Sequence, residues 1–189
     1  MQRVTKDPEI RRQEIIDTAM RLFIEKGYEQ TSMLDITKSI GVSAGLCYRY
    51  FKSKEEIYKA ALNTYVSQGV DFFISLLGDK EQPIIDVINT MPPMNKVSAE
   101  DNFYHQFFNA PDNSNFHLQM EIALIDRLIP ILAERLELAK SKGEISIDNA
   151  MSVSSFYLYG QLGIWQMQNI SSDTKIEDIR KCVTKILGI

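Results

Sequence analysis

The chain has 189 residues, with 21 Lys plus Arg against 25 Asp plus Glu, a formal charge of −4 and an isoelectric point near 5.3. That length suits one compact unit, or a small domain of about 50 residues joined to one of about 130. A hydrophobic fraction of 44% excludes a disordered or fibrous chain, and neither an apolar run of about 18 residues nor a secretory signal is written in it, so the expected location is the cytoplasm, away from membranes.

Apolar residues recur at helical spacing nearly throughout and no series of alternating strands appears, which predicts an all-α fold of about nine helices. Asp7 is placed to cap a first helix with Pro8 at its first position; Ile15, Ile16, Ala19, Leu22 and Phe23 form its inward stripe, and Gly27 stops it. A second, short helix begins near Thr31 or Ser32, with Ser32 and Asp35 at capping-box spacing, carries Met33, Ile36 and Ile40, and ends at Gly41. Ser43 can cap a third through Leu46, Tyr48 and Phe51. Ser53 and Glu56 open a long fourth helix through Ile57, Leu62, Tyr65, Phe72 and Leu76 to Gly78.

Beyond Gly78, EQPIIDVINTM (81–91) predicts a fifth helix stopped by Pro92 and Pro93. Ser98 and Asp101 are placed to cap a sixth that carries NFYHQFF (102–108). A seventh covers about 114–142, kinked at Pro130 and closed by Gly143. Asp148 is placed to cap an eighth reaching about Asn169, and Thr174 with Glu177 a ninth whose inward face is Ile176, Ile179, Val183, Ile186 and Leu187. Cys47 and Cys182 provide no disulfide framework and no metal site, His105 and His117 read as structural, and no metal or cofactor is expected.

Two short helices joined through Gly41 and Val42, after a supporting amphipathic helix, spell a helix-turn-helix. Gly41 permits the positive φ of a sharp reversal, Val42 plugs the angle, and Leu22, Ile36 and Ile40 form the small core beneath. In such a unit the second helix lies in the DNA major groove. Helix starts at Thr31/Ser32, Ser43 and Ser53 would aim N–H groups and hydroxyls at phosphates, Lys52 and Lys54 add positive charge, and Tyr48 and Tyr50 can donate to phosphates or stack. Ala44 and Gly45 are small where the helix must approach the groove. Residues 1–60 hold 11 cationic against 9 anionic side chains, whereas the remainder holds 10 against 16. An acidic whole-chain balance therefore does not exclude double-stranded DNA as partner.

Residues of about 10–62, most specifically GVSAGLCYRYFKSKEE at 41–56, resemble the TetR-type transcriptional regulators. The resemblance implies phosphate-contacting roles for Thr31, Tyr48 and Lys54 and groove-facing roles for Ala44, Gly45, Leu46, Arg49 and Tyr50. Leu46 and Cys47 stand where members often carry a small polar residue and then leucine, and Thr37 and Ile40 replace common alanines. Leu46 can offer a base only apolar contact with a thymine methyl. The resemblance further implies a division into a DNA-binding domain, 1–52, and an effector-binding and dimerisation domain, 53–189, acting together as a repressor that binds an inverted repeat as a dimer and is released by a small molecule.

In the larger part, Ser152, Ser155, Gly160 and Gly163 would let another helix approach closely and, with Ile179, Val183 and Ile186, could make a four-helix dimer seam; internal packing is the alternative. Tyr65, Phe72, Phe103, Tyr104, Phe107, Phe108 and Trp165 could line an effector cavity, although core packing is the commoner use of such residues. The carboxylate surplus suits a cationic or neutral-aromatic effector. Two other functions compete: a helical protein-interaction module presenting its basic head to an acidic partner, and a serine hydrolase, since GVSAG matches the G-x-S-x-G nucleophile elbow. The elbow requires a preceding strand, and DITKSI is helical in pattern, so no catalysis is expected.

Overall fold

Asp7 opens α1 (Pro8–Lys26): its carboxylate accepts from the Glu9 and Ile10 N–H groups at 2.8 and 3.4 Å, and Pro8 sits where a missing N–H costs nothing. The structure is a computed structural model that describes residues 7–92 and 103–189; the predicted caps Ser98 and Asp101 and the stop at Pro93 lie outside these. α2 (Met33–Ile40) carries a reciprocal capping box, with Ser32 Oγ accepting from Asp35 N at 3.2 Å and Asp35 Oδ2 accepting from Ser32 N at 2.9 Å. Gly41, left-handed at φ 75°, ends it and donates to the Thr37 and Lys38 carbonyls. α3 (Ala44–Tyr50) follows at once, and α4 (Lys54–Leu76) starts where Ser53 Oγ accepts from Glu56 N at 3.3 Å while Glu56 accepts from Lys52 N at 2.7 Å.

The later elements are α5 (Ile84–Thr90), α6 (Phe103–Phe108), a 3-10 turn (Pro111–Asn113), α7 (Ser114–Ser141), α8 (Ala150–Gln166) and α9 (Ser172–Leu187). Nine α-helices and no strand among the described residues bear out the all-α expectation. Some boundaries differ. α5 begins after Pro83, which takes the N-cap position, rather than at 81. Asn149, not Asp148, caps α8 by accepting from Ser152 N at 2.8 Å, and α8 stops at Gln166. Ser171, not Thr174, caps α9. No described helix is long and apolar enough to cross a membrane.

The described residues fall into two compact units, the first drawn from Met1–Tyr65 and Glu100–His117, the second from Val66–Ala99 and Leu118–Ile189. In the first, Ile15, Ile16, Ala19 and Met20 of α1 are fully buried together with Ile36 of α2 and Cys47 of α3. An aromatic cluster continues this core: Phe107 lies 6.0 Å from Phe23, 6.4 Å from Tyr58 and 5.2 Å from Phe116 between ring centroids. Tyr104 ties α6 to α1, its hydroxyl donating to Asp17 at 3.0 Å and accepting from Gln13 at 2.8 Å.

In the second unit, Phe73, Ile84, Val87, Leu128, Leu136, Leu158 and Leu187 are buried. Gly69 brings α4 close to α7, where a Cβ would stand 3.1 Å from Leu124. The end of α7 pins the α4–α5 connection: Lys142 donates to the Lys80 carbonyl at 2.8 Å, Arg135 donates to that of Gln82, and Glu144 accepts from Ile84 N at 2.7 Å. Lys175 is buried and caps the C-terminus of α8, donating to the Trp165 and Met167 carbonyls.

Candidate nucleic-acid interface

α3 carries the surface expected to read DNA, and the local sequence fixes which way it faces. Ser43 Oγ accepts from Leu46 N at 3.3 Å and starts the helix; Phe51, extended at φ −140°, ends it. Cys47 is completely buried, with burial pushing its thiol pKa up, and Phe51 is 3% exposed. With that face anchored, Ala44, Gly45, Tyr48 and Arg49 are exposed and Leu46 and Tyr50 half-buried. Arg12 of α1 lies 5.0 Å from the Phe51 ring centroid, a cation–π contact that supports the end of α3 from behind. Ser32 is exposed, but its hydroxyl serves Asp35, whose carboxyl is held below its ordinary pKa by that hydrogen bond.

Two residues with expected phosphate roles are engaged elsewhere. Thr31 is 1% exposed, and its hydroxyl donates to the Leu22 and Gly27 carbonyls at 3.2 and 2.8 Å, sealing the end of α1. Lys54 folds back over the Tyr28 ring, 4.5 Å from its centroid, and donates to the Tyr28 and Glu29 carbonyls at 2.8 and 3.2 Å, with the Glu29 carboxylate at 3.5 Å. Tyr28 stays a neutral phenol, pushed up to about 12 by burial and by Glu55. Lys52 remains exposed, its ammonium donating to the Tyr48 carbonyl at 3.2 Å. Lys38, exposed in the last turn of α2, is a further cation on the helix that crosses the backbone in such units, and spacing alone did not single it out.

These contacts change what Lys54 is expected to do. Lys54→Ala should lower stability in denaturant unfolding by about 1.5–3 kcal/mol, the usual worth of charge-assisted hydrogen bonds. The slope of log affinity for duplex DNA against log salt should stay nearly unchanged, whereas a fall of about 0.9 would return Lys54 to the phosphate contacts.

Ser43 stands between two helices, with α2 where a nucleophile elbow needs a strand, so GVSAG is a helix cap. Among the described residues no group of three or more His, Cys, Asp or Glu could hold a metal ion. The aromatic residues expected at an effector cavity are divided. Tyr65, Phe103, Tyr104, Phe107 and Phe108 belong to the first unit, where all but Phe103 are buried in its core; Phe72 and Trp165 belong to the second. Of the residues expected at a dimer seam, Ser152, Gly160 and Gly163 are exposed, Ser155 and Ile186 half-buried, and Ile179 and Val183 buried within their own unit.

Residues 15–61 match the sequence profile of the bacterial regulatory proteins of the tetR family. The biofilm operon icaADBC HTH-type negative transcriptional regulator IcaR of Staphylococcus epidermidis is 38% identical over 60 residues, 32% of each chain. The HTH-type transcriptional repressor ComR of Escherichia coli is 38% identical over 53 residues, 28% of this chain and 25% of its own. These matches span about a third or less of each relative's length. The fold extends further: a TetR/AcrR-family regulator from Thermobifida fusca superposes with a TM-score of 0.62 at 22% identity, over 92% of this chain and 96% of its own. Residues 15–61 thus match the helix-turn-helix part of the bacterial regulatory proteins of the tetR family, and the all-α frame around them is similar to that of a TetR/AcrR-family regulator over nearly the whole chain.

Proposed function

We propose that the protein is a homodimeric, ligand-responsive repressor in which residues 1–52 read DNA and residues 53–189 bind an effector and dimerise. The observation that carries this reading is α3 itself: one face buried through Cys47, the other open with Gly45, Tyr48 and Arg49 exposed. Two copies would place two such helices in successive major grooves, about 34–36 Å apart, which calls for an inverted-repeat operator. Effector binding releases DNA only through unequal affinity for the bound and released states, and α4, continuous from one unit into the other, is the lever.

The surface of α8 supports the twofold mate. Phe156 is 71% exposed, flanked by exposed Met151 and Tyr159, and a Cβ on Gly160 or Gly163 would meet nothing within 4 Å. Replacing Phe156 by Glu should therefore weaken self-association at least about thirtyfold, with subunit stability changed by less than about 0.5 kcal/mol. Light scattering across a dilution series checks this, and an unchanged dimer would move the seam elsewhere. Selection of duplexes from a random pool tests the function: enriched inverted repeats are expected, and a pool without enrichment would discard the DNA-reading assignment.

A further inference from the structure

Two small cavities in the second unit meet along α8 and α9. One, ≈ 20 Å³, is wholly aliphatic apart from Tyr157, and lies among Leu77, Ile84, Leu132, Leu136 and Leu187. The other, also ≈ 20 Å³, is lined by Gln161, Trp165, Ile176 and Arg180. Ile88, Met91, Tyr157 and Val183 line both, so these four side chains are all that the two neighbouring chambers have in common. Helical spacing builds them: Tyr157, Gln161 and Trp165 recur every four residues on α8, and Ile176, Ile179, Arg180 and Val183 follow one face of α9. At this volume each chamber holds about one water.

The chemistry at the second chamber is one-sided. Trp165 N–H is buried with no hydrogen-bond partner, a cost of the kind that a ligand's acceptor oxygen relieves. Gln161 is 5% exposed and hydrogen-bonded to Tyr157, whose phenol burial pushes up to about 12. Among the described residues Arg180 is the one charged side chain lining either chamber; one of its Nη groups donates to the Asn89 carbonyl at 2.8 Å, leaving the rest of the fork for another acceptor. Among the described residues, no carboxylate lines either chamber. The overall acidity of this half suits a cationic effector, yet the local lining selects the opposite charge.

We infer that the second unit binds an aliphatic carboxylate, its chain in the Leu77–Leu132 chamber and its carboxylate on Arg180 and the Trp165 N–H; this names the effector class and so rests on the ligand-responsive reading above. Binding requires Tyr157 and Met91 to part, because the chambers as they stand are too small for the chain. The side chains that must move lie at the C-cap of α5 and on α8, and the ligand therefore favours a conformation distinct from the closed one.

Trp165 is the single tryptophan of the chain, so its fluorescence reads the site directly. Titrating the intact protein with decanoate, below its micelle concentration and without DNA, should give a saturable change. Arg180→Gln, at an exposed position, should weaken decanoate binding about tenfold or more and leave decanol binding unchanged. Trp165→Phe, followed by calorimetry, should also weaken it. No saturable change, equal binding of decanol or decylammonium, or an unaltered affinity in Arg180→Gln would overturn the assignment. Release of a selected duplex is measured separately. Decanoate binding without release upholds the carboxylate site and removes its effector role, whereas absence of duplex binding defeats the regulator reading and leaves the fluorescence result to decide the site.

Discussion

Phe107→Ala is expected to destabilise the protein by about 3–5 kcal/mol, the cost of emptying a buried phenylalanine site. Phe107 is fully buried and touches aromatic rings from α1, α4, α6 and α7: Phe23, Tyr58, Phe108 and Phe116. Loss of so much ring surface removes a large share of the about 5–15 kcal/mol that holds a typical domain folded, so the unfolding midpoint should fall markedly. Phe107→Leu, which keeps most of the volume, should lose much less. Urea unfolding followed by circular dichroism measures both. A Phe107→Ala protein that melts like the parent would show that these rings surround an adaptable space rather than a packed core, and the effector role expected for Tyr104, Phe107 and Phe108 would return.

Gly45→Glu should separate folding from DNA binding. Gly45 occupies the second position of α3, is exposed, and a Cβ there meets nothing within 4 Å. A side chain removes the entropic cost of glycine, and a carboxylate in the first helical turn is favoured by about 0.3–1 kcal/mol. The melting temperature should therefore hold or rise. Against a duplex bound as proposed, the same carboxylate would enter the major groove between two rows of phosphates, and like-charge juxtaposition of several kcal/mol corresponds to at least about a hundredfold loss in affinity. Fluorescence anisotropy with a selected duplex checks this, with Gly45→Ala as the graded control. Parental affinity in Gly45→Glu would mean that the start of α3 does not face the groove.

Local chemistry was readable wherever one residue had one possible partner a turn away. Asp7 with Pro8, the Ser32–Asp35 box, and Ser43 and Ser53 as caps all appear as spacing predicts, and they fix the helix-turn-helix. Where polar residues crowd, spacing could not choose: Asp148 and Asn149 compete for one cap, and Ser171, Ser172, Asp173 and Thr174 for another. Contacts across long separations were illegible. Nothing near Lys54 in sequence announces that its ammonium serves the Tyr28 and Glu29 carbonyls, and nothing near Thr31 announces that its hydroxyl reaches Leu22. For the same reason, an apolar stripe on α9 could not reveal that Ile179 and Val183 face their own unit's core.

The two cysteines sit at opposite extremes, Cys47 sealed on the buried face of α3 and Cys182 open on α9. An alkylating reagent should label Cys182 promptly and reach Cys47 only when α3 lifts from the helices it covers, at a rate set by how often that opening occurs. The molecule thus carries its own stopwatch for the reading helix, and a duplex that clamps this helix should slow the second reaction while leaving the first untouched.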